Sequence, residues 1–189
     1  MKSALMLGVN PKAEREENDF YATNPKALEL ALPQLKELGL SNRVWECACG
    51  EGHLAEVLKK AGYEVISTDL IDRGYGVGGI DFLKCEKEFN GDIITNPPFK
   101  LAEKFVEKAM DLVAEGHKVF LFLKVQFLES ESRYFMFKKH PLKEMLVYSK
   151  RQQCAKNAEF ERYSATTQCY CWFCFEKGYI GKPTIDWIF

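Results

Sequence analysis

Short apolar runs alternate along the chain with amphipathic segments, a pattern typical of strands alternating with helices. Residues 63–70 and 92–96 are two of the predicted strands, and residues 101–116 have the periodicity of a helix. The run at residues 118–124 is almost entirely apolar, as expected for a strand buried on both faces of a parallel sheet. The alternation predicts an α/β domain with a mostly parallel sheet covered by helices on both faces.

One predicted helix has clear signals at both ends. Asn24 is in the capping position, Pro25 follows at the first helical position, and Gly39 comes after the end. Pro33 lies within this segment, where its missing N–H is expected to kink or split the helix.

The pattern loosens after the central strand. Residues 144–150 and 167–178 predict two further strands that include an antiparallel closing pair. We interpret residues 1–189 as one domain, residues 1–19 as a mobile arm, and residues 125–166 as substrate-facing insertions.

Composition narrows the class of protein. The sequence has 189 residues, of which 47% are hydrophobic, and it contains no apolar run long enough to span a bilayer. We therefore expect a cytoplasmic protein with no membrane association. The formal net charge is -1, so any polyanionic partner must be held by a local patch. Seven cysteines without the spacing of a disulfide framework indicate reduced thiols.

A glycine turn between the first predicted strand of the sheet and its helix indicates a cofactor site. Gly50 and Gly52 lie in this turn, and ligands of open α/β sheets bind at the carboxyl ends of the strands. Asp69 ends the next strand, where a carboxylate can accept hydrogen bonds from ribose hydroxyls. Together with Ala55 the two glycines also fit a dinucleotide pattern, so the turn indicates a nucleoside cofactor without identifying it. Glu46, just before the turn, favours a cationic ligand over a pyrophosphate.

The segment Asn96, Pro97, Pro98, Phe99 has the residue types needed to activate a planar amine. The lone pair of such an amine is delocalised, and acceptors placed on its two hydrogens favour the more tetrahedral, nucleophilic state. The Asn96 side chain supplies one acceptor, and the backbone carbonyl of Pro97 supplies the second from a turn stiffened by two prolines. Phe99 offers a flat face for stacking a base.

Methylation of a pyrimidine ring carbon would need a different residue. That reaction uses a thiolate nucleophile, and no cysteine follows a proline anywhere in the chain. Cys169, Cys171 and Cys174 lie in a predicted strand without a nearby histidine or fourth cysteine, so we expect no metal site.

The order of these segments resembles the S-adenosylmethionine-dependent DNA adenine methyltransferases, and specifically their gamma group, from about Asp19 to Phe99. The resemblance implies a Rossmann-like class I fold with a seven-stranded, mostly parallel sheet and an antiparallel closing strand. It implies methyl transfer from S-adenosylmethionine to the exocyclic amine of adenine in DNA. An adenine within a duplex would have to be flipped out of the stack. A small solitary enzyme of this kind would suit a phage or mobile element.

The resemblance also assigns roles to residues. Asn96, Pro97, Pro98 and Phe99 correspond to the catalytic tetrapeptide. The implied cofactor contacts come from the N-terminal segment, the glycine turn, the end of the following strand and the segment that flanks the cofactor adenine: Phe20, Tyr21, Thr23, Glu46, Cys47, Gly50, Gly52, Asp69, Leu70, Asp81 and Phe82.

A basic stretch lies within the predicted insertions. Lys150 and Arg151 are candidate phosphate contacts there, although an ordinary solvated surface explains such charges almost equally well.

Three alternatives remain from the sequence. The same chemistry could act on RNA or on a protein glutamine, since the tetrapeptide suits any planar amine or amide. The chain could be a methyltransferase-like binding module without turnover, or a nicotinamide-dependent oxidoreductase.

Overall fold

The computed structural model describes residues 22–152, 154–155 and 168–189. Their helices are α1 (Pro25–Glu37), α2 (His53–Lys60), α3 (Ala102–Leu112) and α4 (Tyr134–Lys139). Their strands are β1 (Ala22–Thr23), β2 (Arg43–Glu46), β3 (Glu64–Ser67), β4 (Asp92–Thr95), β5 (Lys118–Lys124), β6 (Leu142–Tyr148), β7 (Cys154–Ala155), β8 (Tyr170–Glu176) and β9 (Thr184–Ile188). Short 3-10 helices occur at Phe82–Lys84, Phe99–Leu101 and Val125–Leu128.

The main sheet has seven strands in the order β3-β2-β4-β5-β8-β6-β9. Every neighbouring pair is parallel except the two pairs made by β8, which runs antiparallel to both β5 and β6. The fold class expected from the sequence is therefore confirmed, including the antiparallel closing strand. The apolar run Lys118–Lys124 forms β5 at the centre of this sheet, as its composition predicts.

A second, two-stranded sheet joins distant parts of the chain. β1 pairs antiparallel with β7, so that Ala22 lies opposite Ala155 and Thr23 lies opposite Cys154. This short pair matters for the site because it brings the segment before α1 and the segment after β6 together.

Helix α1 begins as the sequence predicts, but Pro33 does not split it. The Asn24 side chain accepts a hydrogen bond from Lys26 N at 3.0 Å, and Gly39 takes a positive φ of 79° after the last turn. Pro33 and Glu29 both lie on the exposed side of the helix. The Glu29 carbonyl that Pro33 cannot bond therefore faces water, and one continuous helix is tolerated.

The core occupies both faces of the sheet. On one face, Trp45 and Phe173 of the sheet pack with Phe105 of α3. On the other face, Phe120 and Trp172 and their neighbours lie beneath α1 and α2. Side chains of β5 and β8 alternate between these two clusters, as expected for strands covered on both sides. Among the described residues, no helix combines the length and the apolar character needed to cross a membrane.

Two short elements were not predicted from the sequence. Residues 82–84 form a 3-10 helix capped by Asp81. Residues 184–188 form β9 at the sheet edge beside β6. Four of the five β9 residues are exposed, so the segment has no strong apolar run to indicate it.

A buried carboxylate ties the amino end of β4 to its surroundings. Asp92 is fully buried, and its side chain accepts hydrogen bonds from Ser41 N at 2.7 Å and Lys118 N at 2.9 Å. The same carboxylate lies 2.9 Å from His117 Nδ1. It therefore joins the loop before β2 to the start of β5, at the end of the sheet opposite the carboxyl ends of these parallel strands.

Replacing this carboxylate should destabilise the fold. Asp92→Ala leaves two backbone N–H donors without their acceptor, and we expect it to lower the free energy of unfolding by about 2 to 4 kcal/mol. Chemical denaturation measures the change. Asp186→Ala, at an exposed position of β9, is the control and should change stability by less than about 0.5 kcal/mol. Equal effects of the two substitutions would contradict the structural role of Asp92.

Candidate active site

The cleft lies at the carboxyl ends of β2, β3 and β4, where open α/β sheets bind ligands. It has a volume of about 920 Å³ when its open mouth is counted. Twelve of the residues singled out from the sequence line it: Thr23, Glu46, Cys47, Gly50, Asp69, Leu70, Asp81, Phe82, Asn96, Pro97, Pro98 and Phe99. The parallel sheet thus gathers segments that are far apart in sequence into one cavity.

The two glycines of the turn have different surroundings. Gly50 lines the cleft with φ 54°, and its N–H donates to Asp69 Oδ2 at 2.8 Å. Gly52 caps α2 with φ 85°, and a Cβ there would lie 2.5 Å from the ring of Tyr75. Gly52 therefore allows Tyr75 to pack closely against the turn, and it does not line the cleft.

Asp69 is held in place from three sides. Besides Gly50, it accepts a hydrogen bond from Ile71 N at 2.9 Å, and its Oδ1 lies 3.3 Å from Arg73 Nη1. A carboxylate has about four lone-pair positions, so these three bonds leave capacity for a further donor on Oδ2. The Asp69 carboxylate can therefore accept a hydrogen bond from a hydroxyl group without losing the hydrogen bonds that orient it.

Glu46 is the most strongly perturbed acid of the cleft. It is only 1% exposed, and Thr95 Oγ1 donates to its Oε1 at 2.6 Å. Burial raises the pKa of Glu46 to about 8, against the opposing effect of the Thr95 hydrogen bond, and the nearby Asp69 carboxylate raises it further. The side chain is therefore largely protonated at neutral pH in the absence of a cation, and a bound cation would favour its ionised form.

The far side of the cleft combines apolar and acidic groups. Leu70 is 54% exposed at the mouth, while Phe82 is buried against Trp45 with ring centroids 5.3 Å apart. Asp81 accepts a hydrogen bond from Leu83 N at 3.1 Å and lies 3.2 Å from Lys84 Nζ. These contacts fix the Asp81 carboxylate beside an apolar surface.

The tetrapeptide follows directly after β4. Pro97 is buried, whereas Asn96, Pro98 and Phe99 are partly exposed. Pro98 has an extended conformation with φ −53° and ψ 122°, and its carbonyl accepts a hydrogen bond from Leu101 N at 2.8 Å. The prolines thus give an extended turn that ends in the 3-10 helix Phe99–Leu101, as the sequence predicts for a stiffened segment.

The Asn96 amide contacts the β1–β7 pair. Its Nδ2 donates to Thr23 Oγ1 at 2.8 Å and lies 3.7 Å from Cys154 Sγ. The nitrogen end of the amide is therefore directed towards these two side chains, and the oxygen end is directed away from them.

Phe99 belongs to a set of packed rings. Its centroid is 5.9 Å from that of Tyr170, which stacks on Phe122 at 5.1 Å with an interplanar angle of 11°. Lys124 Nζ lies 4.8 Å from the Phe99 centroid, close enough for a cation–π interaction. The aromatic ring of the tetrapeptide is thereby connected to the sheet core.

The thiols around the cleft are protonated at neutral pH. Burial raises the pKa of Cys154 to about 12 and that of Cys49 to about 12, and it raises the pKa of Cys47 as well. None of these three has the lowered pKa of a thiolate nucleophile. Within residues 22–152, 154–155 and 168–189, no group of three potential metal ligands is close enough to hold an ion.

Other residues predicted from the sequence lie away from the cleft or beyond the described part of the chain. Lys150 and Arg151 are exposed just after β6, at the same edge of the sheet as Asn96, but they do not line the cleft. Phe20 and Tyr21 fall outside the described residues.

Four residues that contact the site were not predicted from the sequence: Thr95, Arg73, Lys124 and Tyr170. Thr95 directly precedes the tetrapeptide, so its position next to Asn96 could have indicated that it lies at the site. Arg73 follows Asp69 by four residues, but no recognised pattern connects the two. Lys124 and Tyr170 come to the site only through the antiparallel pairing of β5 with β8.

The raised pKa of Glu46 predicts a pH-dependent stability. Between pH 4.5, the ordinary pKa, and about 8, the folded protein keeps a proton that the unfolded chain has lost. Stability contributed by the neutral carboxyl is therefore lost as pH rises through this window. Glu46→Gln, which stays neutral, should become more stable than the wild type by an amount that grows from pH 5 to pH 8.

Chemical denaturation at several pH values measures this difference. Glu51→Gln, at an exposed position in the same turn, is the matched control and should follow the wild type at each pH. Parallel pH profiles for Glu46→Gln and the wild type would show that Glu46 is ionised at neutral pH.

No protein-family model matches the sequence, and no curated protein matches it significantly. Solved structures do match the fold. A Pyrococcus horikoshii protein, proposed to be an RNA methyltransferase, gives a TM-score of 0.62 with 18% sequence identity over 92% of this chain and 94% of that chain. A Listeria monocytogenes protein, proposed to be a class I S-adenosylmethionine-dependent methyltransferase, gives 0.61 with 12% identity over 97% and 68% of the two chains.

A third match is the type IIG restriction endonuclease BpuSI. Its TM-score is 0.56 with 15% identity, and the match covers 82% of this chain but only 25% of that chain. At these identities the similarity concerns the architecture. The chain has the Rossmann-like fold found in S-adenosylmethionine-dependent methyltransferases.

Proposed function

We propose that the protein transfers a methyl group from S-adenosylmethionine to the exocyclic amine of adenine in DNA. The observation that carries this proposal is the position of the tetrapeptide from Asn96 to Phe99, which lines the same cleft as Glu46 and Asp69. Residues suited to activating an amine and residues suited to binding a cationic nucleoside thus line the same cleft. The structural neighbours support methyl transfer as the reaction.

The cleft fits the chemistry of S-adenosylmethionine. Asp69 has lone-pair capacity for a ribose hydroxyl, and its orientation is fixed by Gly50 and Ile71. Leu70 and Phe82 supply apolar surface for an adenine ring, and Asp81 supplies an acceptor beside them. The notable exposure of Leu70 at the cleft mouth is consistent with an apolar contact that a ligand would cover.

Glu46 suits the cationic end of this cofactor. A buried carboxyl with a pKa near 8 ionises readily when a positive charge is placed beside it, because the pair offsets the desolvation of each member. Cys47 and the glycine turn border the same end of the cleft. A pyrophosphate would be repelled by the Asp69 carboxylate and would gain nothing from ionisation of Glu46, which disfavours a dinucleotide and the oxidoreductase alternative.

We propose that Asn96 and Pro97 activate the acceptor amine. The Asn96 side-chain oxygen and the Pro97 backbone carbonyl would each accept a hydrogen bond from the NH₂ group. This favours a tetrahedral nitrogen and stabilises the positive charge that develops on it. The rigid Pro97-Pro98 turn holds the two acceptors in a fixed relation, so little reorganisation is needed during the reaction.

When bound, S-adenosylmethionine supplies a methyl group on a sulfonium: the amine nitrogen bonds the carbon, the C–S electrons go to sulfur, and a proton leaves the methylated amine for solvent. No thiolate is needed for this route. The protonated state of Cys154, beside Asn96, favours the amine over a pyrimidine ring carbon, whose methylation requires a thiolate nucleophile.

Three features favour a nucleic-acid substrate. Phe99 offers an aromatic surface beside Asn96, suited to stacking a base taken out of a duplex. Lys124 places a cation next to this ring. Lys150 and Arg151 are exposed at the same edge of the sheet, where they could contact phosphates.

RNA is the second candidate acceptor. The observation in its favour is the match to the Pyrococcus horikoshii protein proposed to be an RNA methyltransferase, which covers nearly the full length of both chains. The resemblance of the tetrapeptide and of the motif order to the DNA adenine enzymes favours DNA, as does the match to a restriction enzyme.

Removing the Asn96 amide should strongly reduce the rate of transfer without affecting cofactor binding. We expect Asn96→Ala to lower kcat by about 100- to 1000-fold, because one of the two acceptors of the developing charge is lost. Binding of S-adenosylmethionine, measured by calorimetry, should change by less than about threefold. Asn42→Ala, at an exposed position before β2, is the matched control and should retain activity. A kcat of Asn96→Ala close to that of the wild type would contradict the mechanism.

The acceptor can be identified by label transfer. Wild-type protein is incubated with S-adenosylmethionine tritiated in its methyl group and with unmethylated DNA, RNA or protein extract in separate reactions. We expect label in DNA, recovered as N6-methyladenine after digestion, and about 100- to 1000-fold slower labelling of DNA incubated with Asn96→Ala. Label in RNA alone, or in protein glutamine alone, would identify that molecule as the acceptor in place of DNA. Binding of nicotinamide dinucleotide without affinity for S-adenosylmethionine would overturn the proposed function.

A further inference from the structure

Thr23 contacts the proposed catalytic amide directly. Its side chain is 3% exposed, and its Oγ1 accepts a hydrogen bond from Asn96 Nδ2 at 2.8 Å. Resemblance to methyltransferases suggested only a cofactor contact for this residue. The geometry points to a different role.

We propose that Thr23 is a positioning residue that sets the orientation of the Asn96 amide, an inference that rests on the proposed function. The two ends of a primary amide differ in chemistry, since one end donates and the other accepts. By holding the nitrogen end, Thr23 directs the oxygen end to the substrate. An amide rotated by half a turn would present N–H groups to the NH₂ group of the acceptor and could not activate it.

The polarity of the surrounding hydrogen bonds favours the observed orientation. A threonine hydroxyl has one hydrogen and two lone pairs. Thr23 lies opposite Cys154 in the β1–β7 pair, and its hydroxyl partly opposes the effect of burial on the pKa of the Cys154 thiol. In the observed orientation, the Thr23 oxygen uses one of these lone pairs to accept from Asn96 Nδ2. Cys154 Sγ, 3.7 Å from Asn96 Nδ2, is a weak acceptor for the same nitrogen.

The backbone of Thr23 is fixed on both sides. Thr23 pairs with Cys154 in the β1–β7 sheet, and Asn24 follows at once as the cap of α1. The hydroxyl therefore has little freedom to follow a rotating amide. Such a rigid partner is what a positioning role requires, because it transmits the orientation of the fold to the side chain.

The test compares substitutions that remove the Thr23 hydroxyl with one that keeps it. Thr23→Val removes the hydroxyl and should lower kcat by about 10- to 100-fold, while the dissociation constant for S-adenosylmethionine changes by less than about threefold. Thr23→Ser keeps the hydroxyl and should retain kcat within about threefold. Thr23→Ala, which deletes the hydroxyl without adding an apolar group, should behave like Thr23→Val and replaces it if that variant does not fold.

A readout independent of activity separates this inference from the proposed function. In a ¹⁵N-labelled protein, the Asn96 side-chain NH₂ signals are identified by their loss in Asn96→Ala. We expect Thr23→Val to shift or broaden these signals and Thr23→Ser to leave them close to the wild type.

Two results would overturn the inference: unchanged Asn96 signals in Thr23→Val, or weaker cofactor binding at unchanged kcat, which would make Thr23 a cofactor contact. If the wild type methylates no acceptor, the proposed function fails, yet the NH₂ signals still decide whether Thr23 orients the amide.

Discussion

The parallel pairing of β2 with β3 and β4 is the constraint on which the site depends. Because the three strands run in one direction, their carboxyl ends lie at the same edge of the sheet. Glu46, Asp69 and Asn96 therefore line a single cleft. The hydrogen bond from Thr95 to Glu46 crosses from β4 to β2 at this edge. It links the end of the cleft suited to a cation with the strand that carries the tetrapeptide, so neither can shift without the other.

Burial gives this edge its electrostatic character. Glu46 and Asp69 are close enough to raise the pKa of Glu46, and only Asp69 has a nearby cation, Arg73, in the described structure. Glu46 holds its proton instead, which reduces the repulsion between the two acids at neutral pH. A cationic ligand reverses this preference, so its binding would be coupled to release of a proton. At neutral pH the proton on Glu46 therefore competes with a cationic ligand for this carboxylate.

Much of the fold and of the cleft was predictable because the signals are local. The glycine turn, Asp69 after a strand, and Asn96 with its two prolines are each contained in a few residues, and the alternation of strands and helices places them at one edge. Contacts between distant segments were not predictable. Gly52 accommodates Tyr75, and Thr23 reaches Asn96 only because β1 pairs with β7. Nothing in the sequence near these residues specifies those pairings, which follow from the path of the whole chain.

The aromatic residue of the tetrapeptide illustrates how the sheet extends into the site. Phe99 packs on Tyr170, Tyr170 stacks on Phe122, and Phe122 packs on Trp172 in the core. A base stacked on Phe99 would therefore join a series of rings anchored in β5 and β8. An anchored ring loses little conformational entropy when a base binds, because its orientation is already fixed. The antiparallel strand that closes the sheet thus also stabilises the surface on which we propose the substrate rests.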